Sequence, residues 1–189
     1  GGEISFPVLE NILLEGQPIG GLEYVEIIIK QRSDLMENEF VLVPTHLKID
    51  ERLEDQIALS WQIALDGSAK YIKLPSVHHE VIVKFKKRFG YYEGNSLGIV
   101  LSIAFLKEIL KSYNSRYLVL PQPDISATGS LDNNGNTKSL GESIIKNKVE
   151  VVSEKQNYNA ITFVWDNDAT FLENSDWDQN SFKENSLSF

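Results

Sequence analysis

The chain has 189 residues, 42% of them hydrophobic and 10% aromatic, and 18 basic against 27 acidic side chains leave a net charge of −9. Such a length and apolar content suit one globular domain and exclude a disordered chain or a repeat array, while the acidic balance repels phosphate backbones and argues against nucleic acid as a partner. Cysteine is absent, which excludes a disulfide scaffold, a thiolate nucleophile and sulfur-ligated zinc. No apolar run approaches the roughly 18 residues that cross a bilayer, and Gly1-Gly2-Glu3 lacks the basic leader of a secretion signal. No membrane partner and a cytoplasmic location are therefore expected. The glycine pair reads as a tag scar or an excision point, so a longer parent is expected as well.

In chain order, residues 1–19 are taken as an N-terminal segment, 20–171 as the domain and 172–189 as a polar, acidic tail in which Trp177, Phe182 and Phe189 are available to dock. The β-branched stretch from Leu22 to Lys30 and the similar one from Glu39 to Val43 predict a hairpin-like pair. Asp50 is placed to cap a helix running to about Leu65, stopped by Asp66-Gly67. Near-alternation from Val77 to Phe89 predicts a strand with one wet face, and its basic cluster Lys84, Lys86, Lys87 and Arg88 reads as that solvated face. From Ser96 to Tyr113 the sequence is apolar nearly all round, which predicts a buried central helix. Strands are expected over 116–120 and 124–128, a tight turn at Asn133-Asn134-Gly135-Asn136, a helix over 139–152 and a closing strand over 160–165.

The sharpest local pattern is Gly94-Asn95-Ser96-Leu97-Gly98, a Gly-x-Ser-x-Gly between a strand and a buried helix. Alone it is also compatible with a glycine-rich helix start capped by Ser96 or Asn95. A hydrolase order of serine, acid, then histidine is impossible, because His46, His78 and His79 all precede Ser96. The opposite order, using His46 or His79, lacks any anchored carboxylate. If Ser96 is a nucleophile, lysine is the remaining base, since burial among apolar groups lets its amine be neutral near pH 7. Lys146, after Ile144-Ile145 and three residues before Val149, fits that description; Lys148 is expected to point elsewhere on the helix.

The string Glu93-Gly94-Asn95-Ser96-Leu97-Gly98, a long apolar helix, Thr128-Gly129, Gly135, and Leu140-Gly141 ahead of Lys146 together resemble the proteolytic domain of the Lon family. Members use a serine–lysine dyad, with the lysine eighteen residues after a Thr-Gly pair and five after a glycine. Lys146 stands at both intervals from Thr128 and Gly141. The resemblance spans about Gly20 to Asp168 and implies an α+β fold of mixed sheets with packed helices and the serine at the start of a buried helix. The chain departs from the family pattern at Asn95 (proline), Leu97 (alanine), Ser130 (glutamate) and Glu142 (glycine).

What the resemblance implies is a serine endopeptidase acting on protein or peptide substrates, with Ser96 as nucleophile and Lys146 as base. Thr128 would aim the lysine, Glu93 would gate the serine loop, and Gly94, Asn95 and Leu97 would shape it. Backbone N–H groups near Ser96 would hold the oxyanion. No metal or cofactor is implied in this chain. ATP and Mg would enter only with a partner or parent ATPase, because no Gly-x-x-x-x-Gly-Lys-Ser/Thr string is present. Self-association, as a hexamer in the family, is also implied. The alternative is a catalytically inactive Lon-fold module for interaction or assembly.

Overall fold

The computed structural model describes residues 4–14, 17–45, 48–86, 91–92, 96–113, 125–155 and 161–163. They form, in order, β1 (Ile4–Leu14), β2 (Gln17–Arg32), β3 (Glu39–Val43), β4 (Lys48–Ile49), α1 (Glu51–Ser68), β5 (His78–Phe85), β6 (Tyr91–Tyr92), α2 (Gly98–Ser112), β7 (Ile125–Ala127), β8 (Ser130–Leu131), β9 (Thr137–Lys138), α3 (Glu142–Lys155) and β10 (Ile161–Phe163). Six strands make one mixed sheet in the order β10-β7-β1-β2-β5-β3, and the short pairs β4–β6 and β8–β9 stand apart from it. The class is α+β, as the sequence predicts.

Two sequence expectations change at the sheet. The strands over Leu22–Lys30 and Glu39–Val43 exist but do not pair: β5 lies between them, antiparallel to β2 and parallel to β3. A parallel partner needs a long crossover, and α1 supplies it between β3 and β5. The hairpin is instead β1–β2, with Ile4 opposite Val25 and Leu14 opposite Gln17. Residues 4–14 therefore belong to the sheet and are not a segment ahead of it. Ile4 and Phe6 are 1% exposed and join the core.

The core fills the space between one sheet face and helices α1 and α2. Val25, Ile27 and Ile29 stand opposite Phe85, Val83 and Val81, so two adjacent strands present one inward row. Asp50 caps α1 as predicted, its Oδ1 accepting from the Leu53 N–H at 2.9 Å. The buried stripe Leu53, Gln56, Ile57, Ser60, Trp61, Ala64 follows the three-and-four spacing of a helix face. Asp66-Gly67 does not stop the helix, which continues to Ser68; the Ser68 hydroxyl donates to the Ala64 carbonyl at 2.7 Å. Lys84 and Lys86 face solvent, in keeping with a wet strand face, while Lys87 and Arg88 lie outside the described residues.

Helix α2 is buried all round, with Ile99, Val100 and Leu101 at zero exposure in succession. Helix α3 packs on β1 and β2. Ser5, which points to the face opposite Ile4 and Phe6, is 1% exposed, so β1 is covered on both sides. The Asn133–Asn136 turn joins β8 to β9 as expected, and Asp132 Oδ1 accepts from the N–H groups of Asn134 and Asn136, each at 2.9 Å. The strand expected over 116–120 and the tail over 172–189 lie outside the described residues.

Candidate active site

Ser96 is half-buried on the turn leading into α2. The N-cap position of that helix belongs to Leu97, which makes no side-chain cap bond, so Ser96 is not the cap that a helix start would ask of it. Two backbone bonds fasten this turn to the strand end beside it. Gly129 N–H donates to the Ser96 carbonyl and Ile99 N–H donates to the Gly129 carbonyl, both at 3.2 Å. The Thr128-Gly129 pair and the turn at Ser96-Leu97 are thus one unit.

The glycines on both sides of this clamp have steric reasons. A Cβ on Gly98 would collide with Gln56 Oε1 and come within 2.7 Å of Leu131 Cγ. A Cβ on Gly129, whose φ is +148°, would collide with Ile99 Cδ1. The Gln56 amide pairs with the backbone of Leu131, donating to its carbonyl at 2.8 Å and accepting from its N–H at 3.1 Å. The hydroxyls of Ser60 and Ser102 donate to the Gly98 carbonyl at 3.0 and 2.7 Å. Gln56 and Leu131 also line a polar cleft completed by Arg52, Asp55, Asp132, Asn133 and Lys138. Sequence reading missed Gln56; its apolar-stripe position on α1 was the available signal.

The lysines reverse the sequence expectation. Lys146, expected to be buried, is exposed and forms an ion pair with Glu142 one turn earlier, Nζ to Oε1 2.7 Å. Lys148 is the buried one, 5% exposed, and its Nζ donates a long hydrogen bond to Thr128 Oγ1 at 3.5 Å. Helix geometry explains the exchange. At about 100° per residue, Lys148 shares a face with Ile145, three positions back, and Lys146 lies far around the cylinder. Ile145 is fully buried and Ile144 is 43% exposed. The legible signal was the run Ile145, Lys148, Val152 at positions i, i+3 and i+7.

Thr128 is 1% exposed and meets the amine of Lys148, twenty residues on, and not that of Lys146, the partner expected eighteen residues on. Leu97 is buried beside the serine. Glu93, Gly94 and Asn95 lie outside the described residues, as does His46. His78 is exposed, and His79 is buried in an aromatic cluster with Trp61 and Tyr113. Among the described residues no group of three or more histidine and carboxylate side chains is disposed to hold a metal ion, and no helix is long and apolar enough to cross a membrane.

The chain matches no model of a known protein family and no curated protein sequence.

Proposed function

We propose that the chain is a serine peptidase domain of Lon type, with Ser96 as nucleophile and Lys148, in place of Lys146, as the base. The observation that supports it most is the burial of the Lys148 amine against Thr128, with Gly129 next to it hydrogen-bonded to Ser96. An alcohol needs a base to become a nucleophile, and a lysine taken out of water is the side chain able to be that base without histidine.

In the proposed reaction the neutral Lys148 amine takes the proton from Ser96 Oγ as that oxygen attacks a peptide carbonyl. The oxyanion is met by backbone N–H groups at the start of α2, where unpaired donors and the helix dipole concentrate positive charge. Lys148 then gives its proton to the leaving amine, and water releases the acyl group by the reverse sequence of transfers. Thr128 holds the lysine in line. A protein or peptide substrate, self-association into a ring, coupling to an ATPase outside this chain and a cytoplasmic setting complete the proposal.

Cleavage of an unfolded protein substrate and labelling by a serine-reactive phosphonate test it together. Ser96→Ala and Lys148→Ala are expected to lower cleavage by roughly 1,000-fold or more, as removal of a nucleophile or its base does. Lys146→Ala is expected to leave the rate within about two-fold, since an exposed i,i+4 ion pair contributes little. Cleavage surviving Ser96→Ala, or phosphonate labelling at another residue, would refute the assignment.

A further inference from the structure

Once Lys148 has taken a proton, its ammonium group has three N–H donors in a setting that excludes most water. Thr128 Oγ1 supplies one acceptor. Two residues before Thr128, a buried hydroxyl is left without a partner: Ser126 Oγ, on a residue with zero exposure. Such a group costs the desolvation of its oxygen and calls for an explanation.

Its place in the fold supplies one. Ser126 is the middle residue of β7 and Thr128 follows the strand's last residue; as the parallel partner of Ser5, Ser126 points to the sheet face opposite Ile4 and Phe6. Ala127, between them, points the other way into the core shared with α2. Lys148 reaches Thr128 from α3, and α3 packs on β1, whose Ser5 is the direct strand partner of Ser126. Two strand residues span about 6.6 Å, a gap that the four-carbon stem of a lysine covers by changing rotamers. Ser126 therefore lies on the side from which the amine arrives.

Resting on the dyad proposed above, we infer that Ser126 is a second positioning residue, the acceptor that receives the Lys148 ammonium when it is protonated. Thr128 aims the neutral amine at Ser96, and Ser126 stabilises the charged form that follows. An acceptor for the charged form raises the pKa of an amine, and its removal lowers it. The same lost interaction weakens the transition state, in which positive charge grows on the nitrogen. The two effects are linked, and one pH unit in the lysine titration corresponds to a loss in rate of up to about ten-fold, reached when the nitrogen carries the full charge in the transition state.

The test is the titration of the Lys148 amine in the intact chain, followed by NMR of isotopically labelled lysine, with the resonance assigned by its loss in Lys148→Met. In Ser126→Ala the midpoint is expected to fall by roughly one pH unit, and kcat to fall by up to roughly ten-fold with KM nearly unchanged. The acid limb of the rate profile should move to lower pH by the same amount. An unmoved midpoint, together with a higher melting temperature from removing an unsatisfied hydroxyl, would overturn the inference. Ser96→Ala run in parallel keeps the two ideas apart. If Ser96→Ala abolishes cleavage while Ser126→Ala leaves titration and rate alone, only the role of Ser126 falls; if Ser96→Ala retains cleavage, the dyad falls too.

Discussion

At residue scale, two glycines decide whether the candidate site can form. Alanine on a helix is usually more stable than glycine by roughly 1 kcal/mol, so Gly98→Ala in α2 would be stabilising on propensity alone. Packing reverses the sign, because the new methyl would strike Gln56 Oε1 and Leu131, and both are held by the Gln56 amide bonds. We predict a loss of about 2 kcal/mol or more in denaturant unfolding for Gly98→Ala. Gly129→Ala should lose at least as much, since overpacking against Ile99 adds to a φ of +148° that side chains rarely adopt. A neutral or stabilising Gly98→Ala would mean that the start of α2 is not packed as described. The same scale shows why Lys146 and Lys148 were exchanged. Motif counting fixes a distance along the chain, whereas burial depends on the angle around α3, and two residues turn that angle by about 200°. Ser96, by contrast, stands out in the sequence because glycines flank it and a long apolar run follows.

At element scale, what could be read was what local chemistry determines. The Asp50 cap, the apolar stripe of α1, the all-round burial of α2 and the Asx-type bonds of the Asp132 turn are each written in a few neighbouring residues. Strand pairing is not local, which is why β2 and β3 looked like a hairpin although β5 separates them. Strand β1 was overlooked for a related reason. Pro7 and the Glu10-Asn11 step interrupt its alternation, and its register against β2 shifts between Glu10 and Leu13. β1 tolerates the proline because β7 engages it at Ser5, two residues before the position that has no N–H to give. The end of α1 was misplaced because Gly67 terminates a helix only when the chain needs a left-handed turn there. Here the cap residue Ala69 stays in the right-handed region, with φ −61° and ψ −17°.

At the scale of the whole molecule, one buried ring contributes a pH dependence to stability. His79, 4% exposed, hydrogen-bonds the Tyr113 hydroxyl and lies edge-on to Trp61. Burial, and then the nearby His78, hold its pKa below the ordinary histidine value of 6.5. The folded state thus prefers the neutral ring, and the unfolded chain binds the proton more readily. This contribution is complete above about pH 6.5 and is lost as pH falls from there through the folded-state value. Thermal unfolding from pH 7.5 to 5 should show a falling melting temperature in the wild type and a flatter curve in His79→Gln. Equal slopes would assign the acid sensitivity to other groups, such as carboxylates.

The proposed function asks one thing of the arrangement of sheet, α2 and α3, that it bring the Ser96 hydroxyl and the Lys148 amine together. A crystal structure of the chain measures it directly. The dyad requires Ser96 Oγ and Lys148 Nζ to lie about 3 Å apart, or somewhat farther without substrate, with Lys146 still paired to Glu142 at the surface. An electron-density map with the Lys148 amine in solvent, or with Lys146 turned in to meet the serine, would contradict it.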